Sequence, residues 1–305
     1  MIRFLLQRLA LAVGVCLTVS LLAFLLLNAS GDVAASIAGE EATPARMAEI
    51  RASLGLDAPW FVRYGRWLWA AVQGDLGTSL FFHEPVTNLV WQHLPKTLTL
   101  ASLALVFMVV VSVVLGICSA VWSNRWIDRI ALTIAVIGQA MPTFWFGLIL
   151  IVVFALMLGV VPASGSDTLV HYILPAIALG YYSTPPMMRL IRTSMIDALA
   201  SDYIRTARAK GMRPWKIVFK HALRNAAIPV VALLTVQFGN MLGGSVVIET
   251  VFNVQGLGFL AWESITRMDI PVVQAVLLIV ALFYIVMVLL SDVVNAWLDP
   301  RIRIQ

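Results

Sequence analysis

Residues 97–124 read TLTLASLALVFMVVVSVVLGICSAVWSN, and no Lys, Arg, Asp, Glu or His interrupts them. A helix needs about 20 predominantly apolar residues to cross a hydrocarbon core of roughly 30 Å, so this stretch predicts a membrane-spanning helix. Working outward, runs equally free of charge and histidine cover 9–31, 130–166, 172–188, 225–248 and 270–291. Across 305 residues, 61% are hydrophobic and 12% charged, against about 25% charged in a soluble domain. The expected fold is an all-α membrane protein with six transmembrane helices in one domain, 1–305. The spans fall at about 9–29, 97–122, 130–158, 172–191, 226–250 and 271–296. The third run is read as a single helix because Gly159 and Pro162 to Gly165 supply an exit turn. The first exceeds the 7–15 residues of a signal core, so it is read as an uncleaved helix.

Orientation follows from the positive-inside rule. With a cytoplasmic N-terminus, one side collects Arg3, Arg8, Arg125, Arg129, Arg189, Arg192, seven residues from Arg205 to Arg224, Arg301 and Arg303, which is 15 of 21 basic residues. Arg46, Arg51, Arg63, Arg66, Lys96 and Arg267 fall on the other. Both termini are expected in the cytoplasm. The long outer segment, about 32–96, gathers Trp60, Tyr64, Trp67 and Leu68 at helical spacing after Pro59. That pattern predicts a short amphipathic helix, either an aromatic-belt anchor or a contact surface for an external partner.

The most basic segment is RTARAKGMRPWK, residues 205–216. Burying the seven cations of 205–224 in hydrocarbon would cost about 2.5–3.5 kcal/mol each, so the segment sits in water. Ile204, Ala207, Met212, Trp215, Ile217 and Phe219 interleave with the charges. The pattern predicts a helix over about 196–209, a left-handed break at Gly211, and a second helix opening at Pro214. In that second helix Lys216, Lys220 and Arg224 share one face, while Trp215, Phe219 and Ala222 share an adjoining one. Three roles fit: a topology signal near anionic lipid, a nucleic-acid contact, or docking to a cytoplasmic protein.

Here a family resemblance bears on the choice. Tyr203-Ile204-Arg205-Thr206-Ala207-Arg208-Ala209-Lys210-Gly211, then His221-Ala222-Leu223-Arg224-Asn225-Ala226 and Ile228-Pro229, resembles the cytoplasmic loop of peptide-type ABC importer permeases. That branch handles dipeptides, oligopeptides, glutathione and nickel. Arg205-Thr206-Ala207 stands where the wider superfamily has Glu-Ala-Ala, and Gly211 keeps the glycine. LGLDAPWFVRYGRWLWAAVQGDLGTSL (54–80), LPKTLTLA (94–101), HYILPAIALG (171–180) and VFNVQGLG (251–258) resemble other segments of the same family, in the same order. Ala140-Met141-Pro142-Thr143-Phe144 departs mildly from the family's Ser-x-Pro-x-Phe.

The resemblance implies a type I ABC importer permease fold, in which the loop over about 196–225 is a coupling helix seated in a separate ATPase. Arg205, Thr206, Ala207, Arg208, Lys210, Gly211, Met212, Arg213, Pro214 and Trp215 would form that contact. It implies a transport subunit of the bacterial cytoplasmic membrane, moving a di- or oligopeptide-like solute by alternating access. The implied partners are a second homologous permease, two ATPase subunits, an extracytoplasmic solute-binding protein and the lipid membrane, with no nucleic acid. The chain has no Gly-rich phosphate loop of its own, so ATP and magnesium are expected on the partner ATPases, with no cofactor, no metal and no catalytic residue here.

Polar side chains at mid-membrane depth are Gln139 beside Pro142, and Gln237 with Asn240; these are the translocation-path candidates, or equally interhelical hydrogen bonds. Pro142 lies some 18 Å into its helix and is expected to kink it. Gly239 and Gly243 suggest close helix packing. Gln255, Gly256, Leu257 and Gly258 are candidates for contact with the binding protein or released solute. The alternative class, an ion-gradient-driven secondary transporter, would place carboxylates at the midplane, and the charge-free runs hold none.

Overall fold

The computed structural model describes residues 2–29, 43–53 and 57–298. Arg301 and Arg303, used above for orientation, lie outside them. In chain order the helices are α1 (Ile2–Ala29), α2 (Pro44–Ser53), α3 (Trp60–Val72), α4 (Val86–Val121), α5 (Trp126–Ala140) and α6 (Thr143–Leu150). A π-helical stretch, Ile151–Met157, prolongs α6; α7 (Ile173–Ala200) and α8 (Asp202–Ala209) follow. The turn Pro214–Lys216 and a second π-helical stretch, Ile217–Ala222, lead into α9 (Leu223–Phe252), then α10 (Leu257–Thr266) and α11 (Ile270–Leu298). Among the described residues the one extended pairing is an isolated bridge, Thr78 to Pro85.

Among the described residues four stretches are long and apolar enough to cross a membrane: Gln7–Leu25, Val86–Val121, Pro229–Phe252 and Ile270–Val294. The run read as one helix over 130–158 is instead two arms, Trp126–Ala140 and Thr143–Met157, bent by 105°. The reason is local. Met141 is extended (φ −94°, ψ 137°) and Pro142 caps the second arm. A residue ahead of proline is pushed out of the helical region, so the chain breaks rather than kinks. Helix α4 begins at Val86, well before the charge-free run, and its 36 residues exceed the hydrocarbon thickness at 1.5 Å each. His93 and Lys96 therefore ride on a helical extension outside the apolar run rather than in a loop.

The chain divides into two compact units. The first comprises 1–97 and 255–285. In it α3 lies on α1: the Tyr64 and Ser20 hydroxyls are 2.8 Å apart, and the Tyr64 and Trp67 rings sit 5.5 and 6.4 Å from that of Phe24. Phe61 and Trp69 stay exposed on the other side of α3. Between α3 and α4 the chain folds on itself, with Ser79 N donating to Glu84 O at 2.9 Å and Val86 N to Gly77 O at 2.9 Å. Buried Asp269 holds this turn, accepting from the Ser79 hydroxyl and from the backbone N–H groups of Leu80 and Phe81, each at 3.2 Å.

The second unit comprises 98–254 and 286–305. Its core joins α5 and α7 through Ala131, Ala135 and Met188, with Leu115 and Leu132 packed alongside. Two glycines permit close approach, Gly138 of α5 to α7 and Gly180 of α7 to α4. A Cβ on Gly180 would meet the Ala104 carbonyl oxygen at 2.5 Å, and one on Gly138 would meet the Tyr181 ring at 2.5 Å. The Tyr181 hydroxyl donates to Ile134 O on the first arm of the elbow, and its ring lies 5.1 Å from Phe146 on the second.

Candidate functional site

The basic segment folds as helix, break and helix. Helix α7 stops at Ser201, whose ψ of 155° is extended, and α8 starts at once, with Asp202 in its first turn and Arg208 in its last. The single helix expected over 196–209 is thus divided at Ser201. Opposite charges at the two ends complement the helix dipole. The far end closes with Gly211 N donating to Arg208 O at 2.9 Å and Met212 N to Ala207 O at 3.2 Å. Gly211 holds φ +70°. This is the paired hydrogen-bond arrangement of a Schellman cap, in which a left-handed glycine satisfies the last carbonyls and reverses the chain. Pro214 occupies the first turn of the next helix, where its missing N–H costs nothing.

Burial divides the unit into two faces. Ile204, Ala207, Ile217 and Ala222 are buried, seating α8 against the end of α7 and the π-helical stretch. Arg205, Thr206, Arg208, Lys210, Gly211, Arg213, Pro214 and Trp215 face solvent, and Met212 is half-buried. Arg205 meets Asp202 at 3.3 Å with both side chains in water, a contact worth little. Among the described residues Arg208, Lys210 and Arg213 have no carboxylate partner. The Lys216 ammonium stands 5.7 Å over the Trp215 ring. Trp215 and Phe219 are 57% and 56% exposed. The expected face shared by Trp215, Phe219 and Ala222 does not form, because Ala222 is fully buried. The π-helical turn explains this: its wider winding shifts the register on which α-helical spacing depends.

The translocation-path candidates separate. Gln237 is buried and donates to Ser183 O at 3.3 Å, while Asn240 donates to the Gln237 side-chain oxygen at 3.1 Å and is itself exposed. Ser183 lies just before Pro185 and Pro186, which deprive α7 of two backbone donors. Gln139 and Pro142 are exposed at the elbow and share no hydrogen bond with the Gln237–Asn240 pair. Gly243 has no atom within 4 Å of an added Cβ, so within this chain it makes no close packing.

Among the outer-loop residues, Gln255 is exposed and accepts from the Lys96 ammonium at 3.1 Å, while Leu257 N donates to the Thr97 hydroxyl at 2.7 Å. Gly256, Leu257 and Gly258 are buried, and the loop is set by Asn253 in a left-handed cap (φ 52°). Among the described residues no three His, Cys, Asp or Glu side chains gather as metal ligands would.

One cluster escaped the sequence reading. The Asp128 carboxylate, 4% exposed, meets Arg192 through Nε at 2.9 Å and Nη2 at 2.7 Å. It also accepts from the Ser119 hydroxyl and from Asn124 N at 2.9 Å. Arg192, counted above only as a topology signal, is a bidentate partner. The sequence offers one faint sign of it, an acidic residue two positions before an apolar run.

Comparison with known proteins follows the same lines. Residues 109–304 match the family described as binding-protein-dependent transport system inner membrane component, and residues 1–101 match the N-terminal part of such membrane components. The chain is 42% identical over 304 residues, 99% of each chain, to the glutathione transport system permease protein GsiC of Salmonella paratyphi A. It is equally 42% identical, over 304 residues, to the protein of that name from Escherichia coli K12. The fold resembles the inward-facing MetNI methionine ABC transporter with a TM-score of 0.56 at 18% identity, covering 69% of this chain and 96% of that one.

Proposed function

The chain belongs to the family of binding-protein-dependent transport system inner membrane components, and from that premise we propose that it carries a short peptide inward, glutathione first among those to test. It is a transmembrane subunit of an ABC importer, a multi-pass protein of the inner membrane, and a transport component rather than an enzyme. ATPase and permease partners belong to that role. An ion-gradient mechanism finds no support among its relatives.

The finer reading is the proposal. Six spans place both termini in the cytoplasm. The assembly holds a second homologous permease, two ATPases that bind ATP and magnesium, and an extracytoplasmic binding protein that delivers the solute. Residues 205–215 dock on an ATPase, and the observation that carries this is the rigid, Schellman-capped unit with exposed Trp215 and unpartnered cations on its water-facing side. A fold held by buried Ile204 and Ala207 presents those groups without further ordering, which favours protein docking over a mere lipid signal. Asn240 and Gln237, with Gln139 and Pro142 at the elbow, line the solute path. Gln255 is the exposed outer contact.

Purified full complex in liposomes, loaded with ATP and given binding protein, should accumulate labelled glutathione. Uptake of other short peptides but not glutathione would move the solute within the class, and uptake by this chain without ATPases would overturn the reading.

A further inference from the structure

We infer that Asp128 and Arg192 are a positioning pair for transport: they lock α5 to α7, so that a push on the docking unit moves the two helices as one body. The inference rests on the reading of 205–215 as the ATPase contact.

The geometry is that of a clamp. Both carboxylate oxygens are used twice, Oδ1 by Ser119 and Arg192 Nε, and Oδ2 by Asn124 N and Arg192 Nη2. Arg192 also donates through Nε to the Ser119 hydroxyl at 2.9 Å and through Nη2 to Ser123 at 3.4 Å. Four segments therefore meet at one carboxylate: the end of α4, the turn at Asn124, the first turn of α5, and α7. Asn124 sits at φ +63°, a left-handed value that asparagine tolerates. That turn brings its N–H back to Asp128.

A bidentate guanidinium–carboxylate pair fixes orientation as well as distance. Asp128 is buried and Arg192 only 23% exposed, so water competes weakly for it. The position matters as much as the strength. Arg192 lies on the helix that runs without interruption to Ala200, and Ser201 alone separates that helix from α8. Ten residues of helix span about 15 Å. The clamp thus ties α5, the first arm of the 105° elbow, to the helix that leads into the docking unit. Packing contacts such as Ala131 and Met188 can slide; a doubly bonded ion pair changes only by breaking.

The test uses the whole importer, with this chain lacking Cys16 and Cys118 and carrying nitroxides at Arg129→Cys and Thr193→Cys. In the parent the label distance should change by less than about 2 Å between the resting and vanadate-trapped states. In Asp128→Asn or Arg192→Ala it should broaden or shift on trapping, and solute moved per ATP should fall on the order of tenfold while the ATPases stay bound. Arg192→Lys keeps the charge but reaches one oxygen at a time; it should retain the fold and give an intermediate ratio. A parent distance that shifts as far as the variant's would overturn the inference, as would an unchanged uptake per ATP in all three variants. ATPase release from Trp215→Ala, measured separately, judges the docking reading on its own.

Discussion

At the scale of single residues, Gly211 and Gly180 are both irreplaceable, for different physical reasons. Nothing lies within 4 Å of a Cβ built on Gly211, so only its φ of +70° resists a side chain. Forcing a β-branched residue there costs roughly 1–2 kcal/mol in backbone strain, released by re-forming the helix end. Gly211→Val should therefore insert normally yet disconnect ATP hydrolysis from transport; solute-stimulated hydrolysis and uptake at parental levels would contradict this. At Gly180 the obstacle is a backbone carbonyl, which cannot rotate aside. Gly180→Ala should lower thermal stability of the detergent-solubilised protein by about 1–3 kcal/mol, read as loss of the intact fraction on heating.

At the scale of elements, two structures behave as prefabricated parts. The helix–break–helix unit proposed to dock keeps one face buried and exposes Trp215 on the other. A large aromatic in a protein contact commonly contributes about 2 kcal/mol, so Trp215→Ala should weaken ATPase binding roughly thirtyfold, measurable by co-purification at graded dilution. Lys216, beside that ring, should matter less. The other part is the turn at 75–86, where Asp269 satisfies three donors at once. Removing the carboxylate leaves the buried Ser79 hydroxyl and the part-buried Leu80 and Phe81 N–H groups short of an acceptor, a loss of about 1–3 kcal/mol for a buried group and less for those that water can reach. Asp269→Ala should expose 78–83 to limited proteolysis of the detergent-solubilised protein while the parent resists; equal resistance would show that the turn holds itself. The elbow is a third element, and its angle belongs to Met141 and Pro142 together with Tyr181, which touches both arms.

At the scale of the whole molecule, each of the two units has its own network of polar anchors. The first ties the turn at 75–86 through Asp269, and the second ties α4, α5 and α7 through Asp128. In both cases a buried carboxylate gathers donors from segments distant in sequence. As a permease subunit of an ABC importer the chain draws the work of transport from ATPase partners. Reconstituted alone it should bind neither ATP nor drive uptake, and adding ATPases without the binding protein should give hydrolysis with little accumulation of solute.

The sequence by itself determined where four hydrocarbon-soluble helices run and where the cationic loop turns. Those properties are additive and local: an apolar run is costly in water whatever surrounds it, and Gly211 followed by Pro214 dictates backbone geometry within a few residues. The division at Ser201, the π-helical turn that buries Ala222, and the 105° angle that Tyr181 spans across the Met141–Pro142 break were decided by tertiary structure. So was the clamp, since Asp128 and Arg192 are 64 residues apart and their charges are legible only as topology until packing of α5 on α7 brings them together. An ion pair is a property of two positions in space, and no periodicity in the chain encodes that distance.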